Sequence, residues 1–599
     1  MQIADFDASN NLVELFLRRA DELGDKPFLT AKRDGAWRSQ SWREVARQVC
    51  LLAESLRGLG LEDGDRVVIV SENRPEWAIA DLAIMAAGCI STPAYTTNTE
   101  RDHAHILENS GAKAAIVSDR KLAQTLLPAI VRTGIAEQVI AIEPLRASQG
   151  QFRTHAWAEL IQGDAATARK AVDARIATIG RQDPACIIYT SGTSGAPRGV
   201  LLSHGAILRN VAGAGEVLAG DFGWDDERFL SFLPLSHALE HTAGLYLPIG
   251  LGANIWYAEG LDKLAANLEE CKPTFMIVVP RLFEMLRGRI VKQIEKQGPL
   301  AQWLLRQALA LAERRAAGRH SVADWPIQRL LDVTLRPKVR ARFGGHIKAL
   351  ISGGAPLNPE IGAFFQSAGL VMAQGYGQTE SAPVVSVNNP SSGIKLDTVG
   401  PPLRGVDVKI ADDGEILVRG ELVMLGYWRN EAETAKTIVD GWLHTGDIGH
   451  FDECGRIMIT DRKKDIIVND KGDNIAPQKL EGMLTLQPEI AQAMVSGDKR
   501  PYIVALIVPD AEWAGGWAKA HGEPSDPAAL QQLPAYRAAI RAAIDRVNGD
   551  LSVTEKVRQF AFADEPFTTD NAMMTPSLKI RRGPISERYG ERLAGLYKD

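Results

Sequence analysis

Helical and strand patterns alternate along much of this chain, and this alternation restricts its possible folds more than any other feature. It runs through residues 1–180 and resumes after residue 200. The predicted helices are Trp42–Leu59 and Trp77–Ala87, and the predicted strands are Arg66–Val70, Ala114–Val117, Phe275–Val279 and Ala349–Ile351. Such alternation is typical of proteins in which helices cover a largely parallel sheet. We therefore predict a layered α/β architecture.

The character of the sequence changes near Val399. Short β-type segments separated by Gly and Asp turns, at Val406–Ile410, Glu415–Arg419 and Arg456–Thr460, indicate a small and more antiparallel subdomain. The chain has 599 residues, which is too many for one hydrophobic core. We place a domain boundary in the charged segment DRKKD, which predicts a large N-terminal domain (1–463) and a smaller, mobile α+β C-terminal domain (464–599).

Composition excludes several classes of protein. The formal net charge of −6 argues against non-specific nucleic-acid binding. The five cysteines are far apart and form no CxxC pair, so we expect reduced, mostly buried thiols. The N-terminus lacks the basic start and apolar core of a signal peptide, and no stretch reaches the roughly 18 apolar residues that span a membrane. We expect a cytoplasmic protein, at most peripheral at the inner face of the cytoplasmic membrane.

The most informative segment is a loop rich in Gly, Ser and Thr, ACIIYTSGTSGAPRGVLLSH, at Ala185–His204. Glycine lets the backbone approach a ligand closely, and hydroxyls with exposed N–H groups can surround a polyphosphate, to which Arg198 adds charge. The Walker pattern is absent, because the loop leads into the β-favouring run Val200–Leu202 rather than into a helix. A surface hairpin is the alternative interpretation. We predict a phosphate-binding loop.

The word YTSGTSGAPRG resembles the signature of the adenylate-forming superfamily, which comprises acyl-CoA synthetases, luciferases and peptide-synthetase adenylation domains. The usual form is YTSGTTGxPKG, so this chain departs from it at Ser194, which keeps a hydroxyl, and at Arg198, which keeps the charge but not the compact ammonium. Further segments match in the same order over nearly the whole chain: SGGAP, GYGQTE, WLHTGDIG, DRKKD, VNDKGDNIAP and TPSLKIRRGPI. The resemblance implies an enzyme that activates an acid with ATP and Mg²⁺ and uses CoA as co-substrate.

The resemblance places the ATP and AMP contacts in three segments of the N-terminal domain. Tyr376 would stack on adenine, Thr379 would contact the α-phosphate, and Glu380 and Thr190 would hold Mg²⁺, which prefers oxygen ligands. The implied nucleotide-binding residues here are Thr190, Ser191, Gly192, Thr193, Ser194, Gly195, Arg198, Gly353, Gly354, Ala355, Pro356, Gln374, Gly375, Tyr376 and Gly377. Taken alone, SGGAP is equally typical of a strand-to-helix turn, and a TE pair is typical of a helix cap.

Further roles fall near and beyond the domain boundary. Asp447 would accept hydrogen bonds from both ribose hydroxyls, and Arg462 would be a second ribose contact. The implied residues of this part are Asp447, Ile459 and Arg462 for the nucleotide, Lys464 for the hinge, Lys471, Gly472 and Asp473 for the loop of the thioester step, and Lys579 for the catalytic cation. Val468 stands where many relatives carry Lys, a change that fatty-acid enzymes tolerate.

Two segments favour a long-chain fatty acid as the substrate. VPRLFEMLRGRI (279–290) and LPLSHALEHTAG (233–244) resemble the bacterial long-chain fatty-acid–CoA ligase branch. His237, in the second segment, is predicted to be catalytic together with Thr379, Glu380 and Lys579, and a structural histidine is the alternative. The implied reaction converts a carboxylate and ATP to acyl-AMP and pyrophosphate, and then acyl-AMP and CoA to acyl-CoA and AMP.

Four alternative functions stay open. Three belong to the same class: a fatty acyl-AMP ligase that delivers to a carrier protein, an aryl or medium-chain acyl-CoA ligase, and a peptide-synthetase adenylation domain. The fourth is a nucleotide-binding regulator without catalysis, which the presence of Glu380, Asp447, Arg462 and Lys579 disfavours.

A basic helical insertion is predicted at about 281–348, where 15 Lys/Arg and 5 Asp/Glu give a net charge of +10. Leu304, Ala308 and Leu311 form an apolar stripe at helical spacing. We hypothesise that this insertion touches an anionic membrane, where fatty acids reside. An ordinary solvated helical face is the alternative. We expect a monomer or a homodimer and no nucleic-acid partner.

Overall fold

The computed structural model describes residues 6–145, 152–190, 197–316, 321, 324–463, 466–471, 473–575 and 579–597. Contacts group the chain into two units. The first comprises Met1–Lys409, Leu417–Thr445 and Phe451–Met458, and the second comprises Ile410–Ile416, Gly446–His450 and Ile459–Asp599. The boundary between residues 463 and 464 stays a prediction.

The strands are short and spread along the chain. They are β1 Pro27–Arg33, β2 Ala36–Ser41, β3 Arg66–Val70, β4 Ile90–Ala94, β5 Ala114–Val117, β6 Gln138–Ala141, β7 Arg153–Ala156, β8 Pro184–Thr190, β9 Arg198–Ser203, β10 Arg228–Ser231, β11 Asn254–Tyr257, β12 Phe275–Val278, β13 Ala349–Ser352, β14 Met372–Gly377, β15 Val384–Asn388, β16 Asp407–Ile410, β17 Glu415–Arg419, β18 Gly426–Tyr427, β19 Ile438–Val439, β20 Trp442–Phe451, β21 Ile457–Arg462, β22 Ile467–Val468, β23 Asn474–Ile475, β24 Ile490–Ser496, β25 Ile503–Pro509 and β26 Val557–Phe562.

The α-helices lie between these strands. They are α1 Leu12–Leu23, α2 Trp42–Gly58, α3 Pro75–Ala86, α4 Glu100–Ser110, α5 Arg120–Thr133, α6 Trp157–Leu160, α7 Ala165–Ile176, α8 His204–Phe222, α9 Ala238–Glu240, α10 Leu247–Leu251, α11 Leu264–Cys271, α12 Pro280–Lys296, α13 Pro299–Ala316, α14 Trp325–Arg342, α15 Pro359–Ser367, α16 Glu431–Thr437, α17 Pro477–Thr485, α18 Ala511–His521, α19 Pro527–Gln532, α20 Pro534–Gly549 and α21 Arg582–Gly595. A π-helical segment, His241–Tyr246, joins α9 to α10.

Two eight-stranded sheets form the framework of the first unit. Their orders are β18-β9-β8-β4-β3-β5-β6-β7 and β15-β14-β13-β12-β10-β11-β1-β2. The inner strands run parallel, for example β3 beside β4 and β12 beside β13. Antiparallel pairs occur at the sheet ends, where β9 pairs with β8 and β15 pairs with β14. The predicted α/β architecture with largely parallel sheets is confirmed.

Local sequence explains several of these elements. The apolar run of β3 is buried at all but its first residue, as expected for a strand covered on both faces. Helix α2 begins at a capping box, in which the Ser41 side chain accepts from the Glu44 N–H and the Glu44 carboxylate accepts from the Ser41 N–H. Helix α3 is buried along its whole length, so it carries no polar face.

The second unit contains its own sheet, ordered β24-β25-β26. Residues of β25 alternate between two apolar clusters, as the period of a strand requires. Ile503, Ala505 and Ile507 pack in a cluster that includes residues of α17 and α20. Val504, Leu506 and Val508 pack in a cluster that includes residues of α21. Helices therefore cover both faces of this small sheet.

The structure bears on the expectations for the cysteines and for membrane-spanning segments. Cys50, Cys89, Cys186 and Cys271 are buried, Cys454 is exposed, and all five are free thiols, as predicted. No helix in the described ranges is long and apolar enough to cross a membrane.

The stripe Leu304, Ala308 and Leu311 is not available to a membrane, and the hypothesis that the insertion touches one stays a prediction. These side chains are only 8%, 0% and 2% exposed, so they pack inside the protein. A helical period identifies an apolar face but does not identify what covers it.

Candidate active site

The predicted phosphate-binding loop connects two antiparallel strands. Thr190 at the end of β8 lies opposite Arg198 at the start of β9, and the next pair is Tyr189 and Gly199. The loop thus leaves and returns at one point of the sheet, and it leads into a strand as the sequence predicts. Thr190 and Arg198 are fixed by sheet pairing at its base. The predicted residues Ser191, Gly192, Thr193, Ser194 and Gly195 lie outside the described residues.

Arg198 is held by two side chains that lie far from it in sequence. Its Nη1 is 2.8 Å from Glu433 Oε1, and both side chains are about one-third exposed. Its guanidinium carbon lies 4.7 Å from the centre of the Tyr427 ring. A planar guanidinium can stack on an aromatic face while its edge binds a carboxylate, which a lysine ammonium cannot do in the same way. The arginine that replaces lysine at this position is therefore used in the structure both for stacking on Tyr427 and for binding Glu433.

Tyr427 also contacts the predicted magnesium ligand. Its hydroxyl donates to Glu380 Oε1 at 2.8 Å. Burial, and then the negative charge of Glu380, raises the pKa of Tyr427 well above its ordinary value, so the hydroxyl stays protonated and remains a donor. Tyr427 therefore links Arg198, a candidate phosphate ligand, to Glu380, a candidate metal ligand.

Residues predicted to surround adenine lie at the carboxyl ends of two adjacent parallel strands. Ser352 in β13 is paired with Gln374 in β14. Ser352 Oγ and Gln374 Oε1 are buried and have no hydrogen-bond partner within the described part of the chain. Buried polar atoms are normally paired, and the carboxyl ends of parallel strands are where α/β proteins bind ligands. The unpaired atoms are consistent with a polar ligand at this edge.

The other predicted residues of this edge occupy consecutive positions. Gly353, Gly354, Ala355 and Pro356 follow β13, the segment Gln374, Gly375, Tyr376 and Gly377 ends β14, and Thr379 and Glu380 open a 3₁₀ turn. Gly377 has a φ of +159°, and a Cβ there would lie 1.7 Å from the Pro383 carbonyl oxygen. Only glycine fits this close approach between β14 and the strand that returns beside it.

His237 lies at the start of a buried segment that touches this edge. Its Nδ1 accepts a hydrogen bond from the Leu239 N–H at 3.2 Å, which caps the short helix α9. Leu239 packs on Gly353, where a Cβ would lie 3.0 Å from Leu239 Cδ2. Further along, Thr242 Oγ1 donates to the Ala382 carbonyl at 3.1 Å. The cap is a structural role for His237, and the predicted catalytic role stays a prediction.

In the second unit, three predicted residues lie within electrostatic reach of one another. Arg462 Nε is 2.9 Å from Asp447 Oδ1, and Asp447 is only 3% exposed. Desolvation of the ammonium group and repulsion by Arg462 lower the pKa of Lys579 from 10.5 to about 8, although Asp447 acts in the opposite direction. A lysine whose pKa is lowered to about 8, close to a buried carboxylate, is typical of functional sites. Ile459 lies in β21, three residues before Arg462.

The loop predicted for the thioester step is organised by a residue that sequence reasoning missed. Asn469 Oδ1 accepts from the N–H groups of Lys471 and Asp473, at 2.9 and 2.8 Å. Its Nδ2 donates to Asp473 Oδ2 at 2.9 Å. This asparagine turn fixes the backbone on both sides of the glycine position. Gly472 itself and the predicted hinge Lys464 lie outside the described residues.

Tyr427 and Glu433 were also missed. Both lie in GYWRNEAET, where a tyrosine before an acidic helix start looks like an ordinary turn and cap. Their place in the site comes from the antiparallel pairing of β18 with β9, which sets Tyr427 opposite Val200.

Comparison with known proteins defines the class. The chain matches the AMP-binding enzyme family over residues 16–428 and the AMP-binding enzyme C-terminal domain over residues 464–599. The protein therefore belongs to the AMP-binding enzyme family.

Two curated relatives are similar over nearly their whole length. The chain is 34% identical to the long-chain-fatty-acid–CoA ligase FadD15 of Mycobacterium tuberculosis, over 96% of this chain and 95% of that protein. It is 29% identical to long chain acyl-CoA synthetase 1 of Arabidopsis thaliana, over 98% of this chain and 92% of that protein. Among solved structures, the adenylation domain of a carboxylate reductase from Mycobacterium chelonae has a TM-score of 0.75 at 21% identity, covering 98% of this chain and 91% of that one. This structural likeness supports the fold.

Proposed function

We propose that the protein is an ATP-dependent long-chain fatty-acid–CoA ligase. The observation that carries the proposal is the contact chain Glu433–Arg198–Tyr427–Glu380, which sets a cation and a carboxylate at the base of the glycine-rich loop. The names of the relatives similar over the whole chain support the substrate class and the thioester product.

The first step joins two anions. A carboxylate oxygen attacks the α-phosphorus of ATP, the bond to the bridging oxygen breaks, and pyrophosphate leaves with that electron pair. Because both reactants are negative, the residues act mainly by charge compensation and alignment. Arg198 neutralises phosphate charge, and Lys579 would supply a cation at the reacting oxygens. Asp447 and Arg462 would hold the ribose.

Mg²⁺ fits the residues present. The described residues contain no group of three or more His, Cys, Asp or Glu side chains able to hold a metal by themselves. Mg²⁺ on a nucleotide needs only one or two protein oxygens, because phosphates and waters complete its shell. Glu380 and Thr190 would hold it, and it would neutralise phosphate charge.

In the second step the CoA thiolate attacks the carbonyl carbon of acyl-AMP. The bond between that carbon and the oxygen bridging to the phosphate breaks, and AMP leaves with the electron pair. The loop around Asn469, Lys471 and Asp473 is proposed to serve this step. Lys464 is proposed as a hinge, and His237 as a group near the acyl carbonyl. We also propose that the basic insertion at 281–348 brings the protein to an anionic membrane surface.

The experiment is a product analysis. The purified protein receives ATP, Mg²⁺, CoA and a mixture of short, medium, long and aromatic acids, and the products are identified by mass spectrometry. Dominance of long-chain acyl-CoA is the expected result. Acyl-adenylates without thioesters would instead point to a carrier-protein acceptor, and absence of any product would support a non-catalytic nucleotide-binding protein.

A further inference from the structure

Helix α14 has an apolar face that no part of the described chain covers. Val333 is 66% exposed and Leu330 is 39% exposed. Pro326 and Pro337 are exposed as well. Positions 326, 330, 333 and 337 follow the i, i+4, i+7, i+11 spacing of a single helix face. Trp325, 66% exposed, begins the same helix.

This exposed face is distinct from the face that holds the helix on the protein. Leu331, Leu335 and Val339 are 0%, 6% and 5% exposed and supply the packing contacts. Arg336 Nε adds a hydrogen bond to the Ser367 carbonyl at 3.1 Å. A surface helix attached in this way would ordinarily carry polar residues on its outer face. The outer apolar residues therefore do not serve the packing of α14.

Helix α13 adds exposed apolar residues to the same insertion. Leu300 is 70% exposed and Trp303 is 39% exposed, and Arg306 is exposed one turn further on. The buried stripe of this helix, Leu304 to Leu311, makes the protein contacts instead. A membrane contact of the insertion would therefore use these exposed residues rather than the buried stripe.

Cations flank the exposed apolar residues of α14. Arg329, Lys338 and Arg340 are exposed, whereas Arg342, also exposed, is paired with Glu269 at 2.9 Å. The exposed acid Asp332 is engaged by Arg336 at 2.7 Å. Over residues 281–348 the net charge is +10, and the rest of the chain carries −16. The insertion is therefore a positive pole on an otherwise acidic protein. A partner that complements the basic charge and the exposed apolar residues of the insertion must carry negative surface charge over an apolar interior.

We propose that the outer face of α14, together with Leu300 and Trp303 of α13, docks the protein on an anionic lipid bilayer. Interfacial helices pair apolar and tryptophan side chains with flanking Lys and Arg, which is the pattern found here. Each basic residue near an anionic surface strengthens the attraction, and salt weakens it.

The insertion is also placed usefully in the chain. It runs from the end of β12 to the start of β13, and β13 leads directly into Gly353 at the candidate site. Docking here would bring the strands of the acid-activating edge to the surface where long-chain acids partition. This benefit rests on the proposed ligase activity. The docking surface specifies the membrane contact proposed above and does not depend on that activity.

The test uses the full-length protein and co-sedimentation with vesicles of phosphatidylcholine alone or mixed with phosphatidylglycerol. The wild type should bind the mixed vesicles and lose binding at high salt. L330D/V333D should lower the bound fraction by about tenfold or more, since charged residues are excluded from the apolar layer. L330S/V333S removes the apolar contact without adding charge and should show a smaller loss in the same direction.

Matched controls separate surface location from charge change. Val553 is 73% exposed and Val131 is 49% exposed, and both lie outside the insertion. The double variant V131D/V553D changes the net charge by the same amount and should bind vesicles like the wild type. An equal loss in this control, or equal binding by L330D/V333D, overturns the proposal. So does a dimer that L330D/V333D abolishes while the wild type ignores lipid, because the face would then belong to a second copy.

Activity measured without lipid keeps the two proposals apart. Pyrophosphate release with a water-soluble acid, in the absence of vesicles, should be unchanged in L330D/V333D. Wild-type vesicle binding without any acid-dependent pyrophosphate release would contradict the proposed function and leave the docking surface standing. Normal activity without binding to anionic vesicles would do the reverse.

Discussion

Arg198 and Glu433 form an ion pair with an Nη1–Oε1 distance of 2.8 Å, although they lie 235 positions apart in the sequence. Glu433 lies in the first turn of α16, whose start is capped by the Asn430 side chain. The pair thus ties the base of the glycine-rich loop to a fixed helix. A guanidinium can bind Glu433 through one nitrogen and keep its other N–H groups for a phosphate.

The first prediction concerns this pair. Glu433→Gln should raise KM for ATP by about 3- to 10-fold with a smaller effect on kcat, because a partly exposed ion pair that orients Arg198 is worth about 1 kcal/mol. Pyrophosphate release is measured against ATP concentration. Glu431→Gln, in the exposed first position of the same helix, is the control and should match the wild type. Equal KM values for all three proteins would contradict a positioning role.

The second prediction concerns Tyr427. Tyr427→Phe removes the hydroxyl that donates to Glu380 but keeps the ring under Arg198. The Mg²⁺ concentration for half-maximal rate should rise by about 3- to 30-fold, since losing a hydrogen bond to a metal-binding carboxylate weakens its orientation. Tyr427→Leu should in addition raise KM for ATP, because the cation–π contact is lost. An unchanged Mg²⁺ titration in Tyr427→Phe would remove this role.

The third prediction is a pH dependence. The pKa of Lys579 is lowered from 10.5 to about 8, so the cation is present below about pH 8 and lost as the pH rises through that value. The adenylation rate should fall over this window, and Lys579→Arg should shift the fall to higher pH. The effect of this group on folding stability has the opposite sign to its effect on the adenylation rate. The unfolded state binds more protons between about 8 and 10.5, so folding stability contributed by this group rises with pH there. A pH profile that is unchanged in Lys579→Arg would contradict the assignment.

The fourth prediction concerns the buried support of the segment that follows His237. Asp81 is fully buried and accepts hydrogen bonds from His241 Nε2 at 2.9 Å and from Tyr246 Oη and Ser91 Oγ at 2.5 Å each. Burial alone would raise the pKa of Asp81, but attraction to His241 and these hydrogen bonds hold it below the ordinary value.

Asp81→Ala should therefore lower the free energy of unfolding by about 3–5 kcal/mol, because it leaves buried donors without an acceptor. The urea midpoint is the measurement. Asp226→Asn is the control, since that side chain is 93% exposed and its loss should change the midpoint little. A wild-type midpoint for Asp81→Ala would show that the network does not support the fold.

Much of the fold could be predicted because the signals are local. Strands at Arg66–Val70, Ala114–Val117 and Glu415–Arg419 match the structure residue for residue, since each is an apolar run bounded by polar or turn residues. The order of the strands within two separate sheets could not be predicted, because it depends on pairing between distant segments.

The candidate site likewise has parts that local sequence predicts and parts that depend on pairing between distant segments. Motif residues such as Glu380 and Arg198 could be named from the sequence, but their links through Tyr427 and Glu433 arise only when β18 pairs with β9. The stripe at Leu304 shows a different limit, because its helical period is correct but does not reveal that the stripe packs inside the protein. Exposure of Leu330 and Val333 depends on which face of α14 meets the protein, and periodicity alone leaves that open.

The reaction itself can be tested by following oxygen. The protein is incubated with ATP, Mg²⁺, CoA and a long-chain fatty acid labelled with ¹⁸O in both carboxyl positions. The AMP is then isolated, and its mass is measured by mass spectrometry. If the carboxylate attacks the α-phosphorus and CoA then breaks the carbonyl carbon–oxygen bond, the AMP carries one heavy oxygen and the acyl-CoA keeps the other. AMP without label, or label in pyrophosphate or phosphate, would contradict the acyl-adenylate route.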